Sequence, residues 1–343
     1  MSRAQLMMET LEAGLSEISG RRVQVRSIRD KEFRKGTSFT IRRIDVQLGS
    51  GETLPVIFKD LNPLRQHQKA RYVRRLELGP SRREIWMYQH VLPRLGLGTP
   101  ELYGYRWDPK RGNLWLFIED VGPHRLCYCL DLGFYEQAAA WAARFHASTA
   151  GRSNDPRLLR LDRTHYERVG EQLRAAFQER IPEHDLPFVD RTLATYDEFV
   201  QLVDGLPQGM IHGELFCKNI LIRPDRAGDA IAVIDWETTA IGPQYVDLVS
   251  ITSGRWTRSQ RIAMRRAYFE ALHSMADRPA VSAATDDADW NRFNQEVDLV
   301  AVLQAVRWLG FWVSGDPGEP KYASRVSRWI RELRLAMGED VSS

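Results

Sequence analysis

Ile211-His212-Gly213-Glu214-Leu215-Phe216-Cys217-Lys218-Asn219-Ile220-Leu221-Ile222, followed by Val233-Ile234-Asp235-Trp236-Glu237, is the stretch on which the reading of this chain turns. The Glu214 carboxylate is followed five residues later by the Asn219 carboxamide, and 16 residues beyond that by the Asp235 carboxylate. The apolar runs 219–223 and 230–235, joined by the turn Pro224-Asp225-Arg226-Ala227-Gly228-Asp229, predict a hairpin that carries Asp235 back beside the loop. Asn219 or Asp235 alone reads as an ordinary turn residue. Together they offer the few hard oxygens that Mg²⁺ takes alongside phosphate and water. Phosphoryl transfer also needs a group that orients an acceptor hydroxyl and takes its proton, and Glu214 stands where that carboxylate is required.

Upstream, residues 23–28, 39–48, 54–59, 101–107 and 114–119 predict five strands of an antiparallel sheet. One helix is predicted over residues 81–92, with Ile85, Tyr88 and Leu92 on one face. Beyond Gly122 the periodicity becomes helical, near residues 135–149, 164–179, 188–203, 259–275, 289–314 and 323–337. Residues 280–289 read as a mobile loop, and His146 as a core histidine.

The composition narrows the function classes. Three cysteines, Cys127, Cys129 and Cys217, are too few and unevenly numbered for a disulfide framework and suit a reducing cytoplasm. No apolar run is long enough for a membrane span, and the amino-terminal residues lack the layout of a signal peptide. A net charge of +3 gives no ground for nucleic-acid binding. Between Lys59 and Arg83 lie eight Lys or Arg and two acids. That run reads either as a solvated helical face or as a surface that draws anions.

The segment His212-Gly213-Glu214-Leu215-Phe216-Cys217-Lys218-Asn219 with Ile234-Asp235-Trp236-Glu237 resembles the aminoglycoside phosphotransferase and choline kinase superfamily. Gly242-Pro243-Gln244-Tyr245-Val246-Asp247-Leu248 extends the resemblance, as do Phe58-Lys59, Arg83-Glu84-Ile85, Phe117-Ile118-Glu119-Asp120 and residues 142–146. It covers roughly residues 25–255. It implies an α+β, two-lobed protein-kinase-like fold, with a small antiparallel sheet lobe over residues 1–121 and a larger, mainly helical lobe over residues 122–343. The implied function is ATP- and Mg²⁺-dependent transfer of a γ-phosphoryl group to a hydroxyl of a small molecule of antibiotic, sugar or amino alcohol type. By the same resemblance, Lys59 meets the α- and β-phosphates and Glu84 holds Lys59 by an ion pair. Asn219 and Asp235 bind Mg²⁺, and Glu119 to Val121 forms the hinge that bonds adenine. Gly36 and Ser38 belong to the loop over the phosphates, and His212 and Asp247 fix the catalytic loop.

Two positions depart from the family pattern. Glu214 stands where the family usually has Asp, which lengthens the arm by one C–C bond, about 1.5 Å. The phosphate loop, Arg34-Lys35-Gly36-Thr37-Ser38-Phe39, offers a single glycine. The alternatives are a nucleotide-binding pseudokinase, disfavoured by the presence of both metal-ligand positions, and a protein kinase. The short interval from Asp235 to Asp247 and the absence of Arg at position 213 argue against the latter. Trp290, Trp308 and Trp312 are candidate walls of an acceptor pocket. The acids Asp287, Asp289, Glu296 and Asp298 are the groups available to a polycationic acceptor.

Overall fold

A computed structural model describes residues 1–35, 39–65, 79–152, 155–223, 230–275 and 283–339. Gly36 and Ser38 lie outside the described residues, as do the turn 224–229 and residues 66–78 of the basic run. The chain forms two compact units. The first comprises Met1–Arg125 and Ile220–Thr238, the second Leu126–Asn219 and Thr239–Ser343.

The first unit is built on a five-stranded antiparallel sheet of order β1-β2-β3-β5-β4, with β1 Val25–Lys35, β2 Thr40–Leu48, β3 Thr53–Asp60, β4 Leu102–Asp108 and β5 Asn113–Glu119. Alternation fixes its faces. Val56 and Phe58 of β3, with Ile44, Val46, Trp115 and Phe117, pack under helix α1 (Arg3–Ser19) against Leu6, Leu11 and Leu15. Phe58 stacks on Phe117 at 4.9 Å between ring centroids. Each such side chain stabilises the unit by roughly 1.5–3 kcal/mol on burial. Helix and sheet approach closely because Gly14 faces the backbone of β4 and Gly104 faces that of α1. A Cβ on Gly14 would stand 2.3 Å from the Tyr103 carbonyl oxygen, and one on Gly104 2.9 Å from that of Thr10. Gly14→Ala is therefore expected to destabilise the protein by about 1–3 kcal/mol, read by urea unfolding.

Lys59 alternates to the sheet face opposite Phe58, and there it meets helix α2 (Gly79–Trp86). The periodicity predicts one helix to residue 92. Instead the chain widens into a π turn over Met87–Val91 and tightens into a 3₁₀ turn over Leu92–Arg94. The expected hairpin is present as β8 (Ile220–Ile222) and β9 (Ile231–Val233).

The second unit is mainly helical. Its helices are α3 (Leu132–Ser148), α4 (Arg163–Arg180), α5 (Leu186–Gln201), α6 (Tyr245–Thr252), α7 (Arg258–Met275), α8 (Ala283–Val313) and α9 (Tyr322–Ala336), and it also holds a three-stranded sheet. That sheet has order β6-β10-β7, from β6 (Leu159–Arg160), β7 (Gln208–Ile211) and β10 (Ala240–Pro243). Asp131 and Asp162 cap α3 and α4 by accepting from the Gly133 and His165 amides. Residues 283–289, expected to be loop, open α8 instead. Ala288 favours helix, and Asp287 and Asp289 complement the positive end of the helix dipole. Among the described residues no helix is long and apolar enough to cross a membrane.

Candidate functional site

In the first unit three charged side chains meet. Lys59 Nζ donates to Glu84 Oε1 at 2.6 Å and to Asp235 Oδ1 at 3.1 Å. The Lys59 and Glu84 side chains are 5% and 0% exposed, and Asp235 reaches solvent at 29%. Burial alone lowers a lysine pKa. Here Asp235 and then Glu84 outweigh it, so the ammonium is held charged well above its usual range. Two carboxylates around one ammonium leave a net negative site, which a further cation complements.

Asp235 has φ of 74°, and is the one non-glycine with positive φ among the described residues. That conformation costs on the order of 1–2 kcal/mol. It is sustained from both sides. Trp236, wholly buried, donates from Nε1 to the Val233 carbonyl at 3.2 Å, and buried Arg83 donates to the Glu237 carbonyl. Strain of this kind persists only where the surrounding structure holds it.

At the end of β5, the Glu119 carboxylate is engaged by Arg223, whose Nη2 lies 2.5 Å from Oε2, and Arg223 also donates to the Gly98 carbonyl. Asp120 pairs with Arg43. The backbone amide and carbonyl of Val121 have no hydrogen-bond partner among the described residues.

The second unit carries the loop after β7. Asp247, wholly buried, accepts from the backbone amides of His212 at 2.7 Å and Gly213 at 3.0 Å. It also lies 3.1 Å from His146 Nε2, while His146 Nδ1 meets Tyr268 Oη at 2.8 Å. Gly213 has φ of 83°, so a side chain there would be strained. His212 Nδ1 accepts from the Glu214 amide at 3.3 Å, and Asn219 Nδ2 donates to the Glu214 carbonyl at 3.0 Å. Glu214 is mostly buried, and its Oε2 lies 3.3 Å from the ammonium of exposed Lys218.

Aromatic rings continue from this loop. Phe216 meets Trp308 edge-on at 5.3 Å, and Trp308 stacks on Trp329 at 5.9 Å. Trp312 contacts Phe311, whereas Trp290 packs among Phe269 and Phe293. Three of the four acids have separate partners. Asp289 pairs with Arg292, Asp298 with Arg265, and Glu296 accepts from Tyr245 Oη. Asp289 and Glu296 do line an open cavity of about 370 Å³ with Tyr245, Phe269 and Phe293.

Residues not singled out from sequence are Arg223 and Arg307. Arg307 Nη1 lies 3.5 Å from the Gly213 carbonyl oxygen. Burial, then Arg307 and Arg168, lower the His165 pKa to about 4 against the pull of Asp162. A depressed histidine contributes stability that is present above its unfolded value near 6.5 and is lost as pH falls towards 4. Between pH 7 and pH 4.5 this amounts to about 2 kcal/mol. Urea unfolding of His165→Gln at the two pH values is expected to show a pH difference smaller by that amount than in the unaltered chain.

The sheet unit and the helical unit together define a kinase-like fold, and the comparisons agree. The choline kinase from Cryptosporidium parvum Iowa II is similar in structure with a TM-score of 0.61 at 10% identity, covering 97% of this chain and 96% of its own. The GDP complex of aminoglycoside 2'-phosphotransferase-IIIa has a TM-score of 0.58 at 12% identity, with coverage of 98% and 99%. A microcompartment-associated aminopropanol kinase has a TM-score of 0.59 at 15% identity, with 91% of each chain covered. At these identities the likeness establishes the fold. No curated protein is a significant match in sequence. Residues 31–284 match the phosphotransferase enzyme family, and the chain belongs to that family.

Proposed function

We propose that this protein transfers the γ-phosphoryl group of ATP to a hydroxyl of a small molecule in a Mg²⁺-dependent reaction. The observation that carries this reading is the Lys59 ammonium held between Glu84 and Asp235. Lys59 is the group for the nucleotide phosphates, and Glu84 fixes its position. The GDP complex of the aminoglycoside phosphotransferase supports a nucleotide as donor. The unpartnered amide and carbonyl of Val121 offer adenine one donor and one acceptor, and Glu119 positions that stretch through Arg223. Gly36 and Ser38 are assigned to the phosphate loop from sequence.

Magnesium is assigned to Asn219 and Asp235 from sequence, and each of them is described within its own unit. Asn219 uses Nδ2 on the Glu214 carbonyl, which leaves Oδ1 without a partner among the described residues, and Asp235 supplies a carboxylate. Both are hard oxygen donors. A bound magnesium ion would neutralise charge on the phosphates. Three cysteines, all free and partly buried, suit a reducing cytoplasm.

Glu214 is the general base. Its backbone is tied at both ends of the loop, so its carboxylate is presented by a fixed main chain and one extra methylene. Glu214→Gln is expected to lower kcat on the order of 10²–10⁴-fold. Glu214→Asp retracts the carboxylate and is expected to cost about 100-fold, since an ångström-scale misplacement has that effect. Single-turnover kinetics measure both; a glutamine variant as fast as the unaltered enzyme would remove the base role, and an aspartate variant as fast would remove only the demand for the longer arm.

The test is acceptor-dependent ADP release with Mg²⁺ across aminoglycosides, macrolides, sugars, sugar phosphates and amino alcohols, repeated with chelator. Turnover that needs both acceptor and Mg²⁺ supports the reading. Tight ATP binding without turnover on any acceptor sinks it.

A further inference from the structure

Helices α4 and α8 bring polar side chains around Arg307, whose Nη1 lies 3.5 Å from the Gly213 carbonyl oxygen. Arg307 is half-buried, with Nη1 3.3 Å from Gln304 Oε1 and its guanidinium carbon 5.2 Å from the Trp308 ring centroid. Among the described residues it has no carboxylate within ion-pair reach. Three nearby polar atoms also lack hydrogen-bond partners among those residues: Gln304 Nε2, Tyr166 Oη and His165 Nε2. Gln304 is 1% exposed and Tyr166 wholly buried. The His165 and Tyr166 rings meet edge-on at 5.1 Å. Arg307 is close enough to act electrostatically on both.

The chemistry of this group has one sign. Guanidinium and carboxamide nitrogen only donate, a phenol can donate, and a neutral imidazole presents one N–H. A buried donor left without an acceptor is costly, and an oxyanion satisfies several donors at once. The acids that would suit a polycation lie elsewhere. Glu296 precedes Arg307 by eleven residues on α8, about 16 Å along the helix axis. Near the loop, Glu214 is already paired with Lys218.

We propose that Arg307, Gln304, Tyr166 and His165 form an oxyanion subsite beside the Gly213–Glu214 loop, which binds a carboxylate or phosphate carried by the acceptor. That these groups serve the acceptor rests on the phosphotransferase reading above. The acceptor is then a hydroxylated anion, such as a hydroxy acid or a sugar phosphate, and not a polycation. Arg307 is a specificity residue, since its guanidinium recognises the anion and not the reacting hydroxyl.

The test has a binding arm and a turnover arm on the full chain. Calorimetric titration with inorganic phosphate and with acetate, at saturating ADP, uses the unaltered protein, Arg307→Gln and Arg307→Lys. At least one anion is expected to bind, about tenfold or more weakly in Arg307→Gln and nearly unchanged in Arg307→Lys, which also reports on folding. Which anion binds separates phosphate from carboxylate. Anion binding equal in Arg307→Gln, or absent from all three proteins, overturns the subsite.

The turnover arm compares glycerol, glycerate and glycerol 3-phosphate, with kanamycin as the polycation. An anionic member is expected to be favoured, with Arg307→Gln raising its KM more than it lowers kcat. A uniform fall in kcat for every acceptor would make Arg307 a support for the Gly213 carbonyl only and overturn the proposal. Arg307-dependent anion binding without ADP formation keeps the subsite and removes the phosphotransferase reading. Acceptor-dependent turnover confined to glycerol or kanamycin does the reverse.

Discussion

Asp235→Asn is expected to lower the proposed phosphoryl transfer by about 10²–10³-fold while the chain stays folded. The substitution is close to isosteric, and asparagine accepts positive φ about as readily as aspartate, so the backbone at φ of 74° is kept. What changes is charge. Lys59 keeps Glu84 at 2.6 Å and loses the second carboxylate that helps hold it protonated. The net negative charge that suits a divalent cation is lost with it. The measurement is ADP release at saturating Mg²⁺, paired with circular dichroism and thermal unfolding. Activity within a few-fold of the unaltered enzyme would mean that Asp235 holds only Lys59 and no metal.

Asp247→Ala is expected to have the largest effect on folding, about 3–5 kcal/mol. Its carboxylate lies at the meeting of α3, α6 and the loop after β7, and accepts from two backbone amides while facing His146. Removal strands the His212 and Gly213 amides in a wholly buried site, at about 1–3 kcal/mol for each group left unpaired. Asp247→Asn keeps one acceptor but turns a donor toward a donor, so it is expected to fall between the two. Urea unfolding gives the ranking, and activity should fall with it because Glu214 follows directly on the tethered amides. A variant within 1 kcal/mol of the parent would show that water replaces the carboxylate.

Much of the site is legible in sequence because its chemistry is local. Glu214, Asn219 and Asp235 stand at short separations along the chain, and residue type narrows what each can do. Lys59 and Glu84 are legible for a related reason, since one alternates to a known strand face and the other sits on a helix. Arg223 and Arg307 were not, because a long cationic side chain carries no mark of its partner until the fold supplies one. Arg223 meets Glu119 across 104 positions, and Arg307 meets the Gly213 carbonyl across 94. Strands β7 and β10 escaped for want of a period. Each is four residues long and almost wholly buried, so neither alternates. The φ of Gly213 adds a reason for that residue which composition does not carry.

The first compact unit is drawn from two stretches of chain, and the second of them ends at Thr238. This sets an order of events on the ribosome. A nascent chain that has released residues 1–125 already holds all five strands of the larger sheet and both members of the Lys59–Glu84 pair. It lacks Asp235 until 110 further residues have been made. At roughly 5–20 residues per second, that interval lasts on the order of ten seconds. Through it, the buried lysine has one carboxylate partner where the finished protein gives it two. The charge cluster is therefore completed late in synthesis, after every strand of its sheet has been made.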